Sequence, residues 1–334
     1  MIHIHTRMSI LGFIGAIAFS YASSQDSSSL RLKSVIPLPN VNGRIDHMDF
    51  DPQTGRLFVA ALGNSTVEVV NLGGSEAPRT LKGFSGPQGI LFLKGSNQVY
   101  VDNGGDGTCV VLDGASLARV STLPGLDDAD NIRYALTDGL VFAGYGNGGI
   151  AGIDPGKAEI RVRFSLPSHP ESFQVDSREA RIYVNLPGDR KIAVIDLARN
   201  QVTANWPLKS AGSNFPMALD EAHHRLFVGC RTPARLLVLD ASSGGEVSSI
   251  PIGKDVDDVF YDPDRARVYA SCGEGIVDVI VQQDPNTYRK IPGIATRKGA
   301  RTSLFIPGSD LLILAVPREG DASAEIRIYT VSGR

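Results

Sequence analysis

Three features of the sequence predict an all-β fold, a seven-bladed β-propeller with four-stranded blades of about 42 residues. Seven short triplets recur along the chain: Leu57-Phe58-Val59, Val99-Tyr100-Val101, Val141-Phe142-Ala143, Ile182-Tyr183-Val184, Leu226-Phe227-Val228, Val268-Tyr269-Ala270 and Leu312-Ile313-Leu314. Their starts lie 42, 42, 41, 44, 42 and 44 residues apart. Each is flanked by strand and turn signals, which fits a propeller blade and not a helical solenoid. The chain also ends on a third-strand pattern and begins on a fourth-strand pattern, so its two ends complement each other.

Within each repeat the innermost strand precedes the triplet, as in Met48-Asp49-Phe50-Asp51, Phe173-Gln174-Val175-Asp176, Met217-Ala218-Leu219-Asp220 and Val259-Phe260-Tyr261-Asp262. Aspartate at its end suits the following turn, because its side chain can accept from amides two and three residues on. The triplet is the second strand. A polar turn such as Leu62-Gly63-Asn64 then leads to a third, again closing on Asp or Asn: Val67–Asn71, Val110–Asp113, Ile150–Asp154, Ile192–Asp196 and Leu236–Asp240. Fourth, outer strands read as Arg119–Leu123, Arg161–Leu166, Ala204–Leu208 and Val247–Ile250, whose alternation and prolines suit an edge. Ile326-Arg327-Ile328-Tyr329 is a third strand with no fourth after it, and Lys33–Leu38 is a fourth strand with no blade before it. The two ends are therefore expected in one sheet, closing the ring and removing an open edge. Residues 23–334 are expected to form this one domain.

Composition fits a folded, loop-rich protein: 334 residues, 42% apolar, 21% charged, with 36 Gly and 19 Pro. Disorder, collagen and coiled coil are excluded. Arg7, the apolar run Ile10–Phe19 and the small-x-small Ser20-Tyr21-Ala22 predict a signal peptide over 1–22, cleaved after Ala22. A periplasmic, secreted or cell-surface location follows. The net charge of −3 becomes −4 when that segment takes its single arginine away. No global basic field exists to hold nucleic acid, and no mature stretch is apolar enough for a transmembrane helix. Three cysteines, Cys109, Cys230 and Cys272, are too few for a disulfide framework; at most one bridge could form, and Cys230 and Cys272, 42 residues apart at matching repeat positions, are expected as two buried, inert thiols.

Tyr183-Val184-Asn185 and Tyr100-Val101-Asp102-Asn103, with the repeat period and the third-strand Asp, resemble the YVTN-type (YncE-like) seven-bladed β-propellers of bacterial periplasm and cell surface. The resemblance covers essentially the whole mature chain. It implies the fold and a range of roles, binding modules, surface proteins and a nucleic-acid binder among them. Gly43–His47, His169–Phe173 and Gly299–Ser303 look like strings of a secreted bacterial subgroup of this family. A lone tryptophan, Trp206, argues against the eight-bladed quinoprotein dehydrogenases, and no Gly-His…Trp-Asp pair marks a WD repeat.

The start of the innermost strand lies at the mouth of a propeller's central channel. Five residues before the strand-end Asp, or its equivalent, stand Asp46, Gln88, Asp130, Glu171, Phe215, Asp257 and Thr302. Four of these seven are acids, and Arg44, His47, Asp128, Asn131, Arg133, His169, Asp258, Arg301 and Ser303 flank them. Such a cluster supports three readings. Arg44, Arg133 and Arg301, with the acids, Gln88 and Asn131, suit a small polar ligand. Asp46, His47, Asp130, Glu171 and Asp257 suit a metal: Ca²⁺ or Mg²⁺ on oxygen donors alone, Zn²⁺ where histidine joins. In the third reading each acid pairs with a neighbouring arginine or caps a loop amide, packing blades together. The favoured function is an exported, monomeric module binding a small polar ligand or a protein partner through the acid-rich channel mouth. The alternative is a metal-dependent hydrolase or lyase at the same mouth. Asp102–Gly107 resembles a calcium loop, but Gly104 stands where the loop needs an oxygen ligand, and a hairpin turn explains its glycines.

Overall fold

A computed structural model describes Met1, residues 29–74 and residues 76–333. The expected signal peptide, Met1 apart, lies outside the described residues. Seven four-stranded antiparallel sheets form a ring. Strand β1 (Leu30–Leu38) opens the chain, and blade 1 follows with β2 (Met48–Asp51), β3 (Arg56–Ala61), β4 (Thr66–Asn71) and β5 (Arg79–Leu81). Blade 2 holds β6 (Pro87–Leu93), β7 (Gln98–Asn103), β8 (Thr108–Asp113) and β9 (Arg119–Pro124). Blade 3 runs through β10 (Ile132–Ala135), β11 (Leu140–Tyr145), β12 (Gly149–Asp154) and β13 (Glu159–Ser165). Blade 4 comprises β14 (Phe173–Asp176), β15 (Arg181–Leu186), β16 (Lys191–Asp196) and β17 (Gln201–Pro207). Blade 5 comprises β18 (Gly212–Asp220), β19 (Arg225–Thr232), β20 (Ala234–Asp240) and β21 (Glu246–Pro251). Blade 6 comprises β22 (Val256–Asp262), β23 (Arg267–Cys272), β24 (Ile276–Asp284) and β25 (Thr287–Ala295). Blade 7 is built from β26 (Thr302–Ile306), β27 (Leu311–Val316) and β28 (Ala324–Val331), with β1 as its outer strand.

That closure is the one the chain ends imply. Leu38 pairs with Ala324, Ile36 with Ile326 and Leu30 with Val331, through one register shift between Leu32 and Ser34. The first strand thus occupies the edge that blade 7 would otherwise leave open.

The triplet repeat has a packing reason. Phe58, Tyr100, Phe142, Tyr183, Phe227 and Tyr269, its central aromatics, are all fully buried. They sit in apolar layers between neighbouring sheets. Phe58 stacks on Phe92 of the next blade with ring centroids 6.1 Å apart, and the Tyr183 hydroxyl donates to the Ala241 carbonyl beyond blade 5's third strand at 2.9 Å. One side chain of fixed size at one position per blade sets a constant wedge between sheets, so the period in sequence becomes angular spacing in the ring. The strand-end aspartates do the local work expected of them. Asp51 accepts from the Gln53 amide, Asp176 from Arg178 and Glu179, and Asp262 from Asp264 and Arg265. Asp240 does the same for Ser242 and Ser243 at the end of a third strand.

Cys230 and Cys272 are buried and free, as expected, and so is Cys109. Burial pushes the Cys230 and Cys272 thiols up to about 12 and raises Cys109 well above the ordinary thiol range. Among the described residues no helix is long and apolar enough to cross a membrane.

Candidate functional site

Six of the seven inner strands are entered through a left-handed residue: Gly43, Gly86, Asp128, Ser213, Asp255 and Gly299 all have positive φ. Blade 4 is entered through Pro170 instead. The left-handed residue lies two or three positions before the repeat position at the channel mouth, as Asp128 before Asp130 and Ser213 before Phe215. Glycine takes that conformation without a steric penalty, and aspartate tolerates it better than most residues. Two of the six entry turns therefore carry acids of their own.

These turns enclose a cavity of about 320 Å³ at the channel mouth. Nine of the expected residues line it: Arg44, Gln88, Asp128, Asp130, His169, Glu171, Phe215, Asp257 and Arg301. Arg231 completes the wall. Asp46 stands just behind, with one carboxylate oxygen 2.8 Å from Arg44 and the other 3.6 Å from His47 Nε2. Blade 2 reaches this wall closely: a Cβ on Gly89 would collide with the Asp130 carbonyl oxygen, and Gln88 Nε2 donates to the Ala129 carbonyl at 3.3 Å.

The wall divides into two arcs of different character. From blade 5 round to blade 1, acids and arginines are paired. Arg301 donates Nη1 to both Asp255 carboxylate oxygens, at 2.7 and 2.8 Å, and its Nε lies 2.9 Å from Asp257. Arg231 bonds Asp257 as well, donates Nε to the Val256 carbonyl at 2.9 Å and stacks its guanidinium 3.8 Å over the Phe215 ring. Burial raises the Asp257 pKa, and the Arg301 and Arg231 cations oppose that rise.

On blades 3 and 4 the acids have no such partners. Among the described residues neither Asp128, Asp130 nor Glu171 has an arginine or lysine within ion-pair distance. Burial, reinforced by the negative charges of Asp46 and Glu171, holds the Asp130 carboxyl well above the usual range. Glu171 is raised by burial too, with the Asp130 carboxyl in hydrogen-bond reach. Asp130 and Glu171, this close together, oppose one another's ionisation. His169 sits beside it, its Nδ1 2.6 Å from the Gly146 carbonyl and 3.6 Å from Asp128.

The other expected residues do not line the mouth cavity. Besides Asp46, His47 lies beneath it, with Nε2 3.7 Å from Asp130 Oδ1, and faces a second chamber of about 280 Å³ deeper in the channel. Burial, aided by the Arg133 cation, pushes the His47 pKa down to about 4, so its ring is neutral at physiological pH. Arg133 lines that lower chamber, donates to the Ile132 carbonyl and lies over Phe173. Asp258 lies there too, but its carboxylate accepts the Ser303 amide at 2.7 Å and ties blade 6 to blade 7. Asn131 is buried and lines neither cavity; its backbone carbonyl accepts from the Gly144 amide.

Asp258 therefore does what the blade-packing reading expects of an acid. So does Asp49, which accepts the Phe92 amide of blade 2 at 2.6 Å. Sequence reasoning passes over Arg231, Asp255 and Asp49. Asp255 could have been found, since it stands two residues before Asp257 as Asp128 stands before Asp130. Arg231 comes from the second strand of its blade, where position before an inner strand gives no signal.

No family model and no curated protein matches this chain. Solved structures do, 1782 chains among them. One, in the crystal structure of a mitotic checkpoint complex, superposes with a TM-score of 0.78 at 14% identity, covering 99% of this chain and all of that one. That likeness shows the fold. The protein is a seven-bladed β-propeller with a charged cup at one end of its channel.

Proposed function

We propose that this chain is an exported, monomeric binding module of the YVTN type, which takes a small dipolar ligand in its channel mouth. The observation that carries the reading is the division of one cavity into two arcs. Among the described residues, Asp128, Asp130 and Glu171 face it with no arginine or lysine partner, while Arg44, Arg231 and Arg301 stand across from them among their own acids. A ligand's positive pole is favoured over blades 3 and 4 and its anionic pole over the arginines, whose planar guanidinium groups suit carboxylate. At about 320 Å³ the cup has room for a small metabolite and none for a folded partner's core. Export rests on the expected signal peptide over 1–22, with periplasm, cell surface or medium as destination.

The test is isothermal titration with ω-amino acids of increasing chain length, glycine to 6-aminohexanoate, in EDTA. One length is expected to bind best, with affinity falling at least tenfold in Glu171→Gln and in Arg301→Met. Failure of every member to bind at millimolar concentration, or unchanged binding in both variants, would overturn the reading. The hydrolase or lyase alternative uses the same acids and requires a bound ion.

A further inference from the structure

Two sets of donor side chains meet at the mouth and share Asp130. Asp46, His47 and Asp130 each offer a donor atom within 4.8 Å of the other two, and so do Asp130, His169 and Glu171. The first set is the more enclosed, with Asp46 2% and Asp130 7% exposed. Asp130 Oδ1 is buried and accepts no hydrogen bond among the described residues. It is aimed at His47 Nε2, 3.7 Å away, and the same nitrogen lies 3.6 Å from Asp46 Oδ1. Donors bound to one tetrahedral ion at 2.0–2.2 Å stand about 3.4 Å apart. The two spacings at His47 thus need to close by only a few tenths of an ångström.

An unpartnered carboxylate oxygen in a buried site is costly unless something occupies it. A proton can, but a proton does not explain why an imidazole and a second carboxylate converge on the same point. Asp257, at the same repeat position, is outside the set because Arg231 and Arg301 already hold it. His169 is prepared in a different way. Its Nδ1 bonds the Gly146 carbonyl, which can only accept, so Nδ1 carries a hydrogen and Nε2 is the nitrogen left to face an ion. Metal-binding histidines are oriented by such second contacts.

We propose that a divalent transition-metal ion of the Zn²⁺ class binds at the channel mouth to Asp46, His47 and Asp130, with Glu171 and His169 beside its open position. The donor chemistry selects against Ca²⁺, which takes six to eight oxygens, and favours an ion that accepts imidazole. The inference rests on the proposed function and deepens it: the acid arc that takes a ligand's positive pole in the metal-free cup also holds the ion, and an anion bound to that ion faces the arginines.

The experiment strips untagged full-length protein with EDTA and dialyses it against ZnCl₂, with CaCl₂ and MgCl₂ in parallel. Bound metal is then measured for wild type, Asp130→Asn, His47→Gln and the surface variant His223→Gln. At least one zinc per chain is expected in wild type and His223→Gln, with affinity at least tenfold lower in the two site variants and no retention of calcium. Circular dichroism confirms their folding. Should either variant fail to fold, Co²⁺ added to wild type decides, by the visible absorption of a low-coordinate nitrogen and oxygen site and its loss on adding zinc. No zinc retained, equal retention by folded Asp130→Asn and His47→Gln, or only the weak spectrum of hydrated Co²⁺ would overturn the proposal. If zinc fails while an ω-amino acid still binds in EDTA, the ion is wrong and the binding module stands. If both fail, both are wrong.

Discussion

Replacing Asp102 with asparagine is expected to make the protein more stable at alkaline pH and to leave it nearly unchanged in acid. Asp102 lies near the end of β7, fully buried, and neither carboxylate oxygen accepts a hydrogen bond within normal geometry among the described residues. Across the ladder it faces Cys109, whose thiol is a weak donor. Burial pushes its pKa from 3.8 up to about 7. An acid raised in this way favours the folded state while it keeps its proton. That stability is fully present below about pH 4, where the unfolded chain is protonated too, and is lost as pH rises through 7. At about 1.36 kcal/mol per pH unit, the loss comes to about 4 kcal/mol. Asparagine has nearly the same shape and no proton to lose. Urea unfolding of both proteins at pH 4.5 and pH 8 gives the result directly: the difference in unfolding free energy, variant minus wild type, should grow by several kcal/mol toward pH 8. A difference that stays constant with pH would refute the assignment of Asp102 as a buried acid protonated in the fold.

The remaining predictions concern packing, thiols and the mouth. Phe58→Ala removes a fully buried aromatic from the layer between blades 1 and 2 and should cost about 3–5 kcal/mol in chemical denaturation. Tyr183→Phe deletes only the hydroxyl bonded to the Ala241 carbonyl and should cost about 1–3 kcal/mol, leaving that carbonyl unpaired. A thiol reagent such as Ellman's should modify no cysteine in native protein and all three once unfolded, because each is buried with its thiol pKa raised. Fast labelling of any cysteine at pH 8 would contradict that burial. Gly89→Ala forces blade 2 away from the Asp130 carbonyl and should weaken ligand binding in calorimetry more than it lowers the unfolding midpoint.

The fold was legible because the wedge between two sheets is filled by a central aromatic in six of the seven blades and by Ile313 in the seventh. Phe58, Tyr100, Phe142, Tyr183, Phe227 and Tyr269 repeat for that reason, and counting from them placed the closing strand β1 as well. Counting also placed Asp130, Glu171 and Asp257 on one cavity, since equivalent positions in seven blades point to one axis. What counting could not supply was the partner of each acid. Successive residues on a strand face opposite ways, so Asp257 looks into the mouth while Asp258 turns to the lower chamber and the Ser303 amide of blade 7. Arg231 enters from β19, at a position with no repeat signature, and together with Arg301 it removes Asp257 from the free acids. Asp102, in a stretch that resembles a calcium loop, belongs instead to the buried ladder between β7 and β8.

The central claim is that Asp46, His47 and Asp130 hold a transition-metal ion at the channel mouth, and a crystal soaked in zinc and measured at the zinc absorption edge tests it most directly. The account predicts an anomalous peak at the channel mouth within about 2.0–2.2 Å of donor atoms from Asp46, His47 and Asp130. A map with no peak there, or with zinc only on surface groups such as His223, would contradict it.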